Sequence, residues 1–594
     1  MPILLKPIFT RLFFFMYLLG ITSSIVTVPH YKTAHMYANA PWELLLDVYV
    51  LSALVLLIPK KIKRFPARAV LKAFLYGLMY PLYIIDTFCF VKFNSTLNPT
   101  MLLLMGETTS NEAGEFLASY VNSDIIMSEV GVMMLVPLAH LVCYIISRYV
   151  KPRWELRIPT AVRWCAEVAV CGVIIWLCTF CLPNKQLYAK TMSCETIGEV
   201  EHSLAISPRT EMYQPPMRLA FSIRSNQLIA KQLDRIIATT EHVTVDSCDY
   251  KSPNIILIIG ESFNKRHAQL YGYDKKNMPN QVRMKKQGFL TPMEDVVTPW
   301  NLTSFVFKHL MTTYCVGDSM DWCDYPLFCQ VFREAGYDVT FLTNQFLPQA
   351  KEAVWDFSGG FFLNDSILSR AQFDHRNTKL HIFDEELLKD TPQDVTPEAS
   401  TRQTKGKLTI YHLMGMHVGY RIRCPNSKKK WGADDYPNDM DMPAKRRKVL
   451  ADYDNAVWYN DSVVNQIVKR HKKENAIILY VPDHGEEVFG PGARHFFGRM
   501  HDANINKRLA DEEFRIPMWI YCTQKYIRSH RDVYQSVRKA RKKRYMTDAL
   551  SHLLMGLAGI HCPYYKQEYD LLSPQYNENR PRLLKHKVDY DKLQ

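Results

Sequence analysis

An apolar run ending in Tyr480, Val481 and Pro482 breaks off into Asp483, His484, Gly485, Glu486 and Glu487. Alone, such a stretch is more often a polar strand-to-loop turn than a site. Its meaning depends on what ends the other apolar runs. The run from Asn254 is followed by Glu261 and Ser262, and the run through Leu413 by Met-Gly-Met and His417. Two carboxylates and two imidazoles, scattered in sequence, thus stand just past three strand-like segments. Carboxylate oxygen and imidazole nitrogen are a ligand set that suits zinc. Each residue singly also serves as a helix cap or a satisfied loop residue, and it is their coincidence that carries the metal reading.

For these residues to meet, the runs must lie side by side. "NIILIIGES" (Asn254–Ser262), "DVTFLT" (Asp338–Thr343), "KLTIYHL" (Lys407–Leu413), "AIILYV" (Ala476–Val481) and "RIPMWIY" (Arg515–Tyr521) are continuously apolar, as strands buried on both faces are. Helical patterns separate several of them, at Tyr325–Ala335 and Arg446–Lys472. That alternation predicts an α/β domain with a mainly parallel sheet and helices on both faces. Ligands in such sheets sit at the carboxyl ends of the strands, where the four residues fall. Ser427–Arg447, basic and rich in Asp and Pro, reads as a surface loop.

The first third of the chain differs. Apolar runs at Leu12–Val28, Trp42–Ile58, Ala69–Val91, Ile125–Ile146 and Ala161–Leu182 each approach the ~20 residues a helix needs to span a bilayer. No small-residue cleavage site follows the first, so it reads as a span and not a signal peptide. Five transmembrane helices are expected. Lys60, Lys61, Lys63, Arg64 and Arg68 separate the second and third, and Arg148, Lys151, Arg153 and Arg157 the fourth and fifth. The positive-inside rule puts these loops and the N-terminus in the cytoplasm, and everything after Pro183 outside. The net charge of +14 then argues for anionic lipid or glycolipid as the partner and against nucleic acid. Eight of the 14 cysteines follow the spans: Cys194, Cys248, Cys315, Cys323, Cys329, Cys424, Cys522 and Cys562. An even count in an oxidising compartment suggests disulfides, with pairing that sequence does not fix.

These features together resemble the membrane-bound phosphoethanolamine transferases of the alkaline phosphatase/sulfatase superfamily. Four stretches carry the resemblance, which covers most of the chain. "IGESFNKRHAQLYGY" (Ile259–Tyr273) is similar to the first metal motif, "TPWNLTSFVFKHLMT" (Thr298–Thr312) to the nucleophile segment, and "HLMGMHVGY" (His412–Tyr420) to a GxH motif. "DHGEEV" with "RHFFGRMHD" (Arg494–Asp502) is similar to the last metal motif and its downstream histidine. The double Glu and the later Gly-Arg resemble the branch that modifies heptose in lipopolysaccharide cores.

The resemblance implies zinc held by Glu261, Thr303, Asp483 and His484, with Thr303 the nucleophile. A threonine hydroxyl needs such activation by a cation, and Thr303 begins an apolar helical pattern whose N-terminus favours phosphate. Thr298, Ser304 and Thr312 are rival hydroxyls, read as capping or packing. His417 and His495 match histidines that face the phosphoryl group or a second zinc and protonate the leaving group. His501 falls past the matching position. In "GETTSNEAGEF" (Gly106–Phe116), Thr108 and Glu112 match an outer amphipathic segment that holds the ethanolamine head, although Leu104 replaces a frequent Asn there. Asn344 and Gln345 stand as further substrate-binding candidates.

The implied organisation is a transmembrane domain at 1–183, a helical connector at 184–250 and a periplasmic catalytic domain at 251–594. The implied enzyme is a monomer of the bacterial inner membrane. Its donor is phosphatidylethanolamine, its acceptor lipopolysaccharide or another lipid-linked glycan, and its intermediate a phosphothreonine. A phosphoglycerol transferase of the lipoteichoic-acid type is the alternative sharing zinc, threonine and spans, and a non-catalytic membrane sensor is the bland one. Sulfatase activity needs a C/S-x-P-x-R frame, which "TSFVF" lacks.

Overall fold

The structure is a computed structural model. It describes residues 3–594 except 28–33, 61, 63–65, 94–95, 100, 103–122, 150–158, 206–210, 346–360, 438–441, 492–496 and 500–504. The chain forms two compact units, one of Met1–Ile229 and the other of Ala230–Ala350 with Val354–Gln594.

The first unit is helical: α1 (Arg11–Thr27), α2 (Ala34–Leu57), α3 (Ala67–Phe93), α4 (Glu129–Tyr149) and α5 (Thr160–Met192), with the start of α6 (Pro215–Thr240). Four of them, α2 to α5, are long and apolar enough to cross a membrane. The expected first span is shorter, at 17 described residues, and at 1.5 Å per residue it reaches about 26 Å, under the ~30 Å of a hydrocarbon core. Five spans were expected; the described residues give four and one short apolar helix. α5 continues through Pro183 to Met192, into the stretch expected as a helical connector. A proline removes one backbone donor and kinks a helix but does not always end it. Charged groups of these helices are paired: Arg218 with Asp86 at 2.7 Å, both buried, and Lys185 with Glu43 at 2.8 Å and Asp47 at 2.7 Å. The Arg68 guanidinium donates to Leu56 and Ile58 carbonyls, closing the C-terminal end of α2.

The second unit is built on eight strands: β1 (Asn254–Gly260), β2 (Leu290–Met293), β3 (Tyr337–Thr343), β4 (His375–Arg376), β5 (Gln393–Asp394), β6 (Gly406–His412), β7 (Ala476–Pro482) and β8 (Met518–Cys522). Their order across the sheet is β2-β8-β7-β1-β6-β3-β4-β5. β7, β1, β6, β3 and β4 are parallel neighbours, whereas β8 runs antiparallel to both β7 and β2, and β5 antiparallel to β4. The sheet is therefore mixed: "RIPMWIY" was expected among the parallel strands and is reversed. A continuous apolar run records burial on both faces, which antiparallel strands inside a covered sheet share. Successive residues enter different cores. Ile255, Leu257 and Ile259 pack on one face with α7 (Thr303–Leu310), while Ile256 and Ile258 pack on the other with α8 (Ala444–His471).

Among the described residues no cysteine is bonded to another, and all fourteen thiols are free. The disulfides suggested by the even count are absent because Cys315, Cys323, Cys329, Cys424 and Cys522 are used as small apolar core residues. Burial pushes the Cys522 thiol up to about 12.

Candidate active site

The site begins with register. β1 and β7 pair in parallel from Asn254 with Ala476 to Gly260 with Pro482. The residues that follow, Glu261 on one strand and Asp483 and His484 on the other, therefore emerge side by side. All three are fully buried, and one ligand atom from each lies within 4.8 Å of the others. His484 Nε2 is 3.5 Å from Glu261 Oε1 and 3.2 Å from Asp483 Oδ2. The opposite nitrogen, Nδ1, lies 2.7 Å from the Gly485 carbonyl. A carbonyl only accepts, so Nδ1 carries the proton and Nε2 the lone pair, the tautomer a metal ligand needs.

The carboxylates are held by the turns they sit in. Glu261 Oε1 accepts from the Ser262 hydroxyl at 2.6 Å, and Asp483 Oδ1 from the Ser262 and His484 amides at 3.0 and 2.7 Å. Ser262 adopts φ 52° to make these contacts. Asp483 Oδ2 is buried and accepts no hydrogen bond from any described residue. An orphaned carboxylate oxygen beside a second carboxylate is costly unless a cation joins them, so the three residues fit a divalent metal. Burial lifts the Glu261 carboxyl, while its contact with Asp483 and the Arg499 guanidinium lower it. Burial and then the Glu261 charge push Asp483 well up. Burial, reinforced by the Arg499 guanidinium, lowers His484 to about 3, which keeps its imidazole neutral.

Thr303 is the first residue of α7, and no side chain caps that end. Its hydroxyl is 3.3 Å from Glu261 Oε2 and 3.3 Å from His484 Nε2. Of the rival hydroxyls, Thr312 donates its own to the Lys308 carbonyl at 2.6 Å. Thr298 is anchored through its amide to the Phe514 carbonyl. A hydroxyl, two carboxylates and an imidazole converging at a helix N-terminus can bind a divalent cation and a phosphate ester and present an activated oxygen to phosphorus.

The remaining expected residues are distributed around this centre. His417 lies half-buried in the loop after β6, with Arg423 Nη2 3.4 Å from its Nδ1. Burial lowers its pKa. That loop folds back on Glu261. Gly415 takes φ 50°, and a Cβ there would stand 3.0 Å from the Glu261 backbone. Gln345 donates to Glu261 Oε2 at 3.2 Å and to the Leu413 carbonyl at 2.7 Å. Asn344 is buried and donates to Asp384, which accepts the Met414 and Gly415 amides; it supports the His417 loop and does not touch the ligands. Thr108, Glu112, Leu104, His495 and His501 lie outside the described residues.

Several positioning groups were not singled out from the sequence. The Tyr453 hydroxyl, from α8, donates to the Ser262 carbonyl and accepts from the Asn264 amide, both at 2.8 Å. Asn301, two residues before Thr303, donates to Glu513 at 2.6 Å. Glu512 holds Asn264 at 2.6 Å and Arg266 at 2.9 Å, Glu487 holds Arg508 at 2.6 Å, and Tyr420 donates to Glu486 at 2.6 Å. The available signal was a second acidic doublet, Glu512-Glu513, matching Glu486-Glu487: charges that are buried must be paired.

Residues 253–560 match the sulfatase family. Over 545 residues the chain is 25% identical to phosphoethanolamine transferase EptC of Escherichia coli, with 89% of this chain and 88% of that protein covered. It is 24% identical to phosphoethanolamine transferase CptA of Salmonella typhimurium, covering 85% and 83%. A solved periplasmic domain of Escherichia coli EptC, in complex with zinc, is 26% identical, covers 59% of this chain and 95% of that one, and superposes with a TM-score of 0.47. The family match takes in more than half of the chain and includes Glu261, Thr303, Asp483 and His484, so the protein belongs to the sulfatase family, and the relatives it resembles over most of its length are phosphoethanolamine transferases.

Proposed function

We propose that the protein transfers phosphoethanolamine from phosphatidylethanolamine to a hydroxyl or phosphate of lipopolysaccharide or another lipid-linked glycan, through a phosphothreonine at Thr303. The observation that carries this reading is the Thr303 hydroxyl at 3.3 Å from both Glu261 and His484, in a cluster completed by Asp483. Apolar helices long enough to span a bilayer suit two lipid substrates, since they keep the reacting groups at the same surface.

Glu261, Thr303, Asp483 and His484 would hold zinc, which when bound supplies positive charge that lowers the pKa of the hydroxyl and offsets charge on the phosphoryl oxygens. Thr303 Oγ1, its proton lost to solvent, attacks the phosphorus, an O–P bond forms, and the bond to the diacylglycerol oxygen breaks. The leaving oxygen takes a proton from His417 or His495. The acceptor oxygen then attacks the same phosphorus, an acceptor hydroxyl passing its proton back to that histidine, and the bond from phosphorus to Thr303 Oγ1 breaks, which regenerates Thr303. The first turn of α7 meets the incoming phosphate with its backbone N–H groups. Thr108 and Glu112 are assigned to the donor head, with Glu112 opposite its ammonium. Residues 1–183 form the membrane domain, 184–250 the connector and 251–594 the periplasmic catalytic domain of a monomer in the inner membrane.

The test is intact-mass measurement with peptide mapping, on protein given donor lipid without acceptor. A phosphoethanolamine adduct on Thr303 is expected. An adduct elsewhere, or transfer with none, would sink the covalent route.

A further inference from the structure

The hairpin of Leu583–Leu584 with Val588–Asp589 turns through Lys585 and His586, and the Lys587 amide donates to the Leu584 carbonyl at 3.0 Å. Both central residues have positive φ, 47° and 58°. Such a turn ordinarily takes Asn and Gly. Lys-His fits it poorly by itself, and strain of this kind persists where surrounding contacts impose it. Those contacts lie on the Thr303 segment. The Lys585 amide donates to the Pro299 carbonyl at 2.9 Å. The His586 ring stands edge-on to Trp300, with centroids 5.7 Å apart. Its Nε2 is 2.7 Å from Nε2 of the buried His309. His309 Nδ1 lies 2.6 Å from the Phe305 carbonyl. A carbonyl only accepts, so the His309 proton is on Nδ1, its Nε2 presents a lone pair, and the His586 Nε2–H donates to it. One imidazole, exposed on its outer side, thus touches Trp300 before Thr303 and His309 after it.

We infer that His586 is a positioning residue for Thr303, its imidazole tying the segment before the nucleophile to the helix after it. The inference rests on the transfer reading proposed above. α7 is eight residues long and no side chain caps its first turn, so it has little stability of its own. The Thr303 hydroxyl stands 3.3 Å from Glu261 and from His484, long for hydrogen bonds, so the backbone that carries it must also be held from elsewhere. On one side Asn301 is held by Glu513 and Thr298 by Phe514. The hairpin supplies the other side. It is anchored without His586, since Arg582 pairs with Asp295 at 2.8 Å and the Tyr590 hydroxyl donates to Asp511 at 2.8 Å. Removing the imidazole therefore leaves the hairpin in place and loosens the Thr303 segment. A shift of about 1 Å at a reacting atom costs up to about 10²-fold in rate.

The experiment uses the full chain in detergent, loaded with zinc, as wild type, His586→Gly, His586→Gln and His586→Phe. The measurements are kcat and KM for the donor lipid, hydrogen exchange of the amides of residues 299–310 by mass spectrometry, and the thermal midpoint. His586→Gly removes the imidazole and suits the positive φ, so the midpoint should not fall. Its kcat should fall by about tenfold or more with the donor KM unchanged, and residues 299–310 should exchange faster. His586→Gln restores an N–H donor and should recover part of kcat. His586→Phe keeps a ring against Trp300 without a donor and should not. Unchanged exchange or unchanged kcat in His586→Gly overturns the inference. So does a kcat that follows the midpoint across the variants, or full activity in His586→Phe, which would make the ring a packing group alone. If wild-type protein forms no adduct on Thr303, the transfer reading fails on its own, and the exchange measurement still decides whether His586 holds the segment.

Discussion

At the scale of single residues, Thr303 and Asp483 make different demands on the site. Thr303 contributes one oxygen whose position is fixed by Glu261 and His484. Thr303→Ala should remove the adduct and lower turnover by about 10³-fold or more, measured by lipid mass spectrometry, while zinc content falls less than in His484→Ala. Asp483 contributes a carboxylate that is unfavourable without a cation. Asp483→Asn keeps an oxygen for the Ser262 and His484 amides, and its new N–H₂ would stand where Oδ2 lies, 3.2 Å from the His484 Nε2 lone pair. The variant should therefore lose metal and activity, yet in chelator resist denaturant better than wild type by about 1–3 kcal/mol. A chelated variant less stable than chelated wild type would show that the two carboxylates do not repel in the folded protein.

At the scale of elements, Glu261, Asp483 and His484 are held by segments that contribute no residue to their cluster. Helix α8 carries Tyr453, whose hydroxyl locks the positive-φ turn at Ser262 from both sides. Tyr453→Phe keeps the ring and removes both bonds. It should leave the unit folded, cost about 1–3 kcal/mol and weaken metal binding by about 10–100-fold, as loss of an outer supporting contact does. Competition with a chromophoric chelator would measure this, and an unchanged affinity would assign Tyr453 to packing alone. The loop after β7 is held differently. A Cβ on Gly485 would lie 2.3 Å from the Glu512 carbonyl, and the Gly485 amide donates to the Glu513 carbonyl at 2.8 Å. Gly485→Ala should push the loop off its acidic neighbours and destabilise the unit by about 1–3 kcal/mol, read from urea denaturation of the α/β unit's signal.

At the scale of the whole molecule, the number of crossings decides which compartment sees the site. With the N-terminus cytoplasmic, five crossings put the α/β unit outside and four return it to the cytoplasm. The described first helix is short for a span, at 17 residues, so the count must be measured. A fluorescent reporter that matures only in the cytoplasm, fused after Gln594, should stay dark, and a second one at Lys60 should be bright. A bright fusion at Gln594 would remove the periplasmic assignment, and with it access to an outer-leaflet acceptor.

What the sequence determined by itself was local and periodic. Continuous apolar runs marked β1, β3, β6, β7 and β8 because strands covered on both faces need no polar alternation, and the polar residues at their ends marked the candidate metal group Glu261, Asp483 and His484. The same runs said nothing of direction. That β8 is antiparallel follows from connections and packing that no stretch of five residues records. Short strands such as β4 and the edge strand β5, two residues each, had no periodicity to read. The even cysteine count suggested bridges, but a thiol buried as an apolar group and one waiting for a partner are the same letter. The supporting contacts, Tyr453 to Ser262, Asn301 to Glu513 and Arg499 to His484, join residues far apart in the chain or across a loop. Only tertiary structure decided them, because a buried hydroxyl, amide or charge acquires its role from the partner that folding places against it.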